Sequence, residues 1–259
     1  MHATIIIKLG GSAITDKSKT CTPRVELIHR IAGELASRSE QMVLLHGGGS
    51  FAHPFATREL VQRRFMDKAG LKAVSEIELN LEQLTRIVGV ALVLHGRSFV
   101  PIRPMSFMTL RNGDVYKHFL RPLTTILRNG AIPLIHGDLC VDERGGFGVV
   151  SADRIASLLG QELSVSRVLF GCDVDGVYES KNRKDIFSEV TKLNQKIVLN
   201  RIPHSESDAT GGMRGKVMEA LRLARIGVES FIFNLKDPEN LTQLLEGDSS
   251  LGTRFVPWR

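Results

Sequence analysis

Apolar positions along the chain come in two alternating kinds. Short runs at Ala3–Leu9, Met42–Leu45, Phe99–Ile102, Ala131–Ile135, Ser164–Phe170, Phe231–Asn234 and 252–256 are β-rich and bounded by glycine or polar turns, as buried strands are. Between them lie stretches with helical spacing. Residues 24–38 put Val25, Leu27, Ile28, Ile31 and Leu35 on one face, and 72–95 do the same with Val74, Ile77, Leu81, Leu84, Ile87, Val88 and Ala91. Further helices are predicted over 119–128, 152–160, 188–199, 216–226 and 238–246, with Ser151 as the N-cap that places Asp153 in a first turn. Two hairpins complete the pattern, one turned at Asn112-Gly113-Asp114 and one around Glu143–Gly146. Strands alternating with helices throughout predict an α/β protein with a mostly parallel sheet. Ligands of such sheets bind at the strand C-termini.

Glycine turns occupy those ends. Met42–Leu45 runs into His46-Gly47-Gly48-Gly49-Ser50-Phe51-Ala52-His53-Pro54, and the first strand into Lys8-Leu9-Gly10-Gly11-Ser12. A phosphate held by main-chain N–H groups must approach closer than a Cβ allows, which favours glycine. Pro54 suits the first turn of a following helix, and His53 would stand at the lip of the cradle. A third glycine segment, Ala209-Thr210-Gly211-Gly212-Met213-Arg214-Gly215-Lys216, opens the 216–226 helix, after a polar run from His204 to Asp208 with the composition of a mobile segment. None has the GxxxxGK[ST] form, so a P-loop is excluded. Gly47-x-Gly49-x-x-Ala52, with Asp67 downstream, also fits a dinucleotide fingerprint, but an earlier strand–glycine unit argues against that reading.

Lys8 is the informative cation: an ammonium inside an apolar strand costs several kcal/mol to desolvate unless it meets an anion. Lys17 reads equally as a ligand group or an exposed loop lysine, and Asp173 and Asp175 as metal or ribose ligands or as an Asx-turn pair.

The chain has 259 residues, enough for one large or two small domains, and shows no internal repeat. A net charge of +6 suggests an anionic partner, but the basic residues are dispersed and no aromatic-basic pattern marks a nucleic-acid surface. A phosphorylated small molecule fits equally. Cys21, Cys140 and Cys172 lie far apart without CxxC spacing, which points to a reducing compartment and away from disulfides or zinc. Neither a signal peptide nor a membrane-length apolar stretch is legible, so the expected location is the cytoplasm. Three lysines, Lys8, Lys17 and Lys216, with three glycine turns and no Ser-His-Asp order suit phosphoryl transfer, which needs aligned phosphates and surrounding donors. Asp153 would orient the lysines instead of acting as a base.

Lys8–Ser12, His46–Ser50, Gly171–Tyr178 and Thr210–Lys216 together resemble the amino acid kinase superfamily over essentially the whole chain. More narrowly, Ile14-Thr15-Asp16-Lys17 and Ser50-Phe51-Ala52-His53-Pro54 resemble the isopentenyl phosphate kinases. The resemblance implies a single-domain three-layer αβα sandwich, with an acceptor half over about 1–160 and a nucleotide half over about 161–259. It implies a homodimer that uses ATP and Mg²⁺ to phosphorylate an isoprenoid monophosphate, with no nucleic acid or membrane partner. Lys8, Gly10, Gly11 and Ser12 would then meet the ATP phosphates, Lys17 the transferring group and Lys216 the leaving phosphates, while Asp153 would hold the lysines. Gly49, Cys172, Asp173, Asp175, Gly176, Tyr178 and Gly212 would border the nucleotide. Gly47, Gly48, Gly49, His53, Gly137, Asp138 and Ala152 would hold the acceptor phosphate, with its tail against Val74, Ile77, Leu81, Leu139 and Val149. Mg²⁺ would be chelated chiefly through nucleotide phosphates, with no protein metal ligand. Ala52, Ala152 and Cys172 depart from the usual glycine, glycine and threonine of the family, the first two beside the acceptor phosphate and the third beside the nucleotide. A fosfomycin-kinase-like enzyme and a non-catalytic nucleotide sensor are the competing readings.

Overall fold

The computed structural model describes residues 4–52, 68–180, 182, 184–203 and 212–258. His53, Pro54, Asp67, Thr210 and Gly211 lie outside the described residues. In chain order the elements are β1 (Thr4–Leu9), α1 (Gly11–Ile14), α2 (Val25–Ala36), β2 (Met42–His46), α3 (Lys68–Leu94), β3 (Phe99–Ile102), β4 (Met108–Arg111), β5 (Asp114–His118), α4 (Arg121–Arg128), β6 (Ile132–His136), β7 (Asp138–Val141), β8 (Phe147–Val150), α5 (Ala152–Glu162), β9 (Val165–Cys172), β10 (Glu189–Val190), α6 (Gln195–Arg201), α7 (Gly212–Arg225), β11 (Glu229–Asn234), α8 (Glu239–Glu246) and β12 (Thr253–Phe255).

Eight strands form one sheet in the order β10-β12-β11-β9-β1-β2-β6-β3. All neighbours pair in parallel except β11 with β12. The apolar strand runs need cover on both faces, and the helices supply it. Ile5, Ile7 and Leu9 of β1 point to a layer of α2, α3 and α8, while Ile6 points to α4, α5 and α7 on the other face. The result is the three-layer αβα sandwich. Period-two alternation puts Lys8 on the side of Ile6, opposite Leu45 of β2 and Phe170 of β9, which both belong to the α5/α7 core. One residue of register therefore decides which helices the lysine meets.

The two predicted hairpins form as β4–β5 and β7–β8. Asn112 and Gly113 turn the first with φ of 55° and 80°, the doubly positive pair of a two-residue type I′ turn. Asp142 ties the hairpins together, its carboxylate accepting from the N–H groups of Asn112, Gly113 and Arg144. Ser151 caps α5 as expected, Oγ accepting from Arg154 N at 3.1 Å.

Two expectations need correction. Residues 188–199 do not form one helix: Glu189–Val190 pairs with β12 as a short strand, and the helix starts only at Gln195. Edge pairing with β12 overrides the local helical pattern there. The start of the helix predicted over 216–226 also moves, since α7 begins at Gly212 and Lys216 sits more than one turn inside it instead of opening it.

Gly89 of α3 lies against the β3 edge, where an added Cβ would stand 2.1 Å from Cζ of Phe99. A flat ring cannot yield as a flexible side chain does. We predict that Gly89→Ala destabilises the fold by about 1–3 kcal/mol, read as a lower urea midpoint with an unchanged m-value.

Candidate active site

A cavity of about 530 Å³ crosses the C-terminal ends of β9, β1, β2 and β6. Lys8, the penultimate residue of the central strand β1, is at its middle. Its Nζ lies 2.8 Å from Asp153 Oδ1. From the other side Lys216 Nζ reaches the same carboxylate at 3.1 and 3.0 Å and faces the Phe170 ring at 5.8 Å. The three residues are only 6%, 8% and 6% exposed, so two ammoniums and one carboxylate share a buried site.

Burial works against the ionised form of Asp153, but Lys216 and Lys8 overcome it and hold the acid down at about 2. Its place in the first turn of α5 favours the same ionised state. For Lys8, burial outweighs Asp153, and the neighbouring Lys216 adds repulsion, so the ammonium is drawn down to about 8. Lys216 is opposed by burial too, yet its two-oxygen contact with Asp153 raises it. The cluster carries one net positive charge, which favours a further anion beside it.

Around it the glycine turns pack backbone against backbone. A Cβ on Gly11 would fall 2.3 Å from Gly49 N, and one on Gly10 would fall 2.5 Å from Gly171 O. Glycine here is required by contact between loops as well as by ligand approach. Gly49 also holds φ of 51°. Thr15, given no role of its own within the Ile14–Lys17 segment, joins the two turns: its buried hydroxyl donates to Gly11 O at 2.7 Å and accepts from Ser50 N at 3.0 Å. Ser12 Oγ donates to Asp173 Oδ1 at 2.7 Å, linking the first turn to the one after β9.

Most of the residues singled out in the sequence line this one cavity. They are Lys8, Gly10, Gly11, Ser12, Lys17, Gly47, Gly48, Gly49, Ile77, Leu81, Gly137, Asp138, Leu139, Val149, Ala152, Asp153, Cys172, Asp173, Gly176, Tyr178, Gly212 and Lys216. Lys17 is exposed at its mouth. Asp175 and Val74 do not line it. Asp175 instead accepts from Asn234 Nδ2 at 2.8 Å, and Val74 packs behind Ile77, Leu81 and Leu139 in a separate apolar cluster. That cluster abuts the glycine cradle, since a Cβ on Gly48 would stand 3.1 Å from Leu81 Cδ2. Ala52 and Val149 pack against it as well. Cys172 is buried, its thiol donating at 3.2 Å to Val174 O and to Phe233 O, and burial pushes it up. Arg201, Ile202, Pro203 and Met213 complete the wall on the β9 side. Arg201 ends α6, and Ile202 and Pro203 follow it, where no glycine motif announces them, whereas Met213 belongs to the third glycine segment.

The model of the amino acid kinase family matches residues 3–234. The chain belongs to this family. It is 32% identical to an isopentenyl phosphate kinase of Methanothermobacter thermautotrophicus over 265 residues, covering 97% of this chain and 98% of that protein. A second such kinase, of Methanocaldococcus jannaschii, is 30% identical over 258 residues, with 94% and 95% covered. A solved isopentenyl phosphate kinase structure superposes with a TM-score of 0.83 at 30% identity, covering 98% of this chain and all of that one. As an amino acid kinase the chain binds ATP, and the cavity fits a nucleotide: three close-packed glycine turns surround a buried surplus cation.

Asp153→Ala should leave two buried ammoniums without their partner and cost about 3–5 kcal/mol, measured by denaturant unfolding of the ligand-free protein. For the intact chain, kcat/KM for ATP should fall as pH rises through about 8. Only the ammonium form of Lys8 can hold a phosphate, and that form dominates below this value and is lost above it. A profile flat from about pH 7 to about pH 9.5 would show that Lys8 does not titrate there.

Proposed function

We propose that this amino acid kinase transfers the γ-phosphoryl group of ATP to isopentenyl phosphate, forming isopentenyl diphosphate and ADP. The observation that carries the acceptor is the apolar cluster of Ile77, Leu81 and Leu139 set against a glycine cradle. An acceptor with a phosphate head and a hydrocarbon tail matches both parts, whereas a carboxylate amino acid matches only the first. Burial of the tail contributes about 0.8 kcal/mol per methylene. Full-length relatives named isopentenyl phosphate kinase support the same reading.

The chemistry follows from charge. An acceptor phosphate is already largely ionised at neutral pH, so its oxygen attacks Pγ without a protein base. One P–O bond forms to that oxygen as the bond from Pγ to the β-phosphate oxygen breaks, and ADP leaves. Lys8 donates to the ATP phosphates and Lys216 to the leaving phosphates, and Asp153 holds both ammoniums in place before substrate arrives. Gly10, Gly11 and Ser12 meet the ATP phosphates, and Lys17 at the cavity mouth supplies charge to the transferring group. Gly47, Gly48, Gly49, Gly137, Ala152 and His53 take the acceptor phosphate, and Cys172 to Tyr178 with Gly212 border the adenosine. We assign the acceptor half to about residues 1–160 and the nucleotide half to about 161–259, on the two sides of β1. Mg²⁺ would arrive chelated by the nucleotide and would neutralise phosphate oxygens. Three free cysteines fit a reducing compartment such as the cytoplasm, and we assign the enzyme to isoprenoid synthesis by a mevalonate route, as a homodimer.

ADP release with Mg-ATP tests the reading, using isopentenyl phosphate beside fosfomycin and N-acetylglutamate. Turnover with isopentenyl phosphate alone, lost in His53→Ala, is the expected result; activity on fosfomycin instead would overturn the acceptor. Ile77→Ala and Leu81→Ala should improve the use of longer prenyl monophosphates relative to isopentenyl phosphate. Unchanged chain-length preference in both variants would remove the tail from this cluster.

A further inference from the structure

At the acceptor end two carboxyl groups meet away from water. Asp138 opens β7 with a fully buried side chain. Its Oδ1 accepts from Leu139 N at 2.7 Å, and its Oδ2 has no donor. Opposite it on α3 stands Glu78, whose Oε2 lies 3.5 Å from Arg103 Nη1 and whose Oε1 is likewise buried without a donor. The two side chains interact with each other directly. Two facing carboxylate oxygens repel; a single proton between them satisfies both orphaned atoms.

The surroundings favour that proton. His136 Nδ1 lies 3.6 Å from Asp138 Oδ2, but burial draws its pKa down, which favours the neutral ring. His46 stacks behind His136 at 5.7 Å and is drawn down to about 3 by burial and by His136. Cys140 on the same strand is pushed up by burial. Arg103 is the cation facing the pair, and Glu82 also engages it, at 2.8 Å. Burial, followed by the Glu78 contact, pushes Asp138 up to about 9.

We propose that Asp138 and Glu78 share a proton and act as positioning residues for the acceptor, fastening α3 to β7 beside its tail. Their sequence neighbours Leu139 and Ile77 line the cavity, so the fastening sets the distance between the two apolar walls. This rests on the reading that the acceptor tail lies there. Below about pH 9 the pair is closed; above it the proton leaves, the two carboxylates repel and the walls separate.

The test compares the intact chain with Glu78→Gln and Glu78→Ala, measuring acceptor KM, ATP KM and kcat against pH. In the intact chain acceptor KM should rise about tenfold by about pH 10, because the competent fraction falls tenfold per unit above the pKa. Loss of the Lys8 proton acts instead on ATP kcat/KM and starts lower. Glu78→Gln offers a permanent N–H to Asp138, so its acceptor KM should stay flat with pH while the Lys8 limb remains. Glu78→Ala should raise acceptor KM at every pH. A Gln variant that keeps the alkaline rise overturns the proposal, and being isosteric it keeps the test valid if Glu78→Ala folds poorly. Infrared difference spectra of the ligand-free protein provide a readout without substrate. A protonated-carboxyl stretch should disappear between about pH 7 and about pH 10, and this alkaline loss should be absent in Glu78→Gln. No such band overturns the shared proton outright. A band without turnover of any prenyl monophosphate overturns the acceptor reading and the positioning role with it.

Discussion

Two buried ammoniums around one carboxylate are the constraint on which the structure depends. Lys8 and Lys216 are tolerated inside the protein only because Asp153 lies between them, and Asp153 stays ionised only because both are present. The arrangement requires β1, α5 and α7 to meet at one point. The fold delivers that by placing β1 at the centre of the sheet with α5 and α7 together on the face that Lys8 shares with Ile6. One positive charge is left over, which favours an anion at this point of the cavity.

The glycine turns serve the same end by a different force. Gly10 against Gly171 and Gly11 against Gly49 are contacts of main chain on main chain, which draw the ends of β9, β1 and β2 together. Thr15 and the Ser12–Asp173 bond hold those loops in place with hydrogen bonds. Donor N–H groups are thereby aligned before any ligand binds, so little reorganisation is left for the moment of transfer.

Two acids lining one cavity are driven in opposite directions. Asp153, between two ammoniums at a helix N-terminus, is held at about 2. Asp138, facing a second carboxyl and a neutral histidine, is pushed to about 9. Burial alone would raise both; the charge of the nearest neighbours decides the outcome. One cavity thus contains an ionised carboxylate that organises cations and a neutral one suited to joining two apolar walls.

Local pattern alone was enough to determine the alternation of strands and helices, the Asn112-Gly113 turn, the Ser151 cap and the glycine turns at strand ends. Each of these rests on the geometry of a few consecutive residues: period, positive φ or a missing Cβ. Lys8 also stood out locally, as a charge in an apolar strand. That Asp153 holds the lysines was already an expectation; tertiary structure alone decided the geometry in which it meets both, that residues 188–199 split into an edge strand and a helix, and that Asp175 turns to Asn234 instead of the cavity. It alone revealed Arg201 and Glu78 and the part Thr15 plays, ordinary polar residues whose meaning comes from what they face. Such contacts join residues far apart in the chain, and a sequence carries no periodic trace of a partner that the fold brings in from elsewhere.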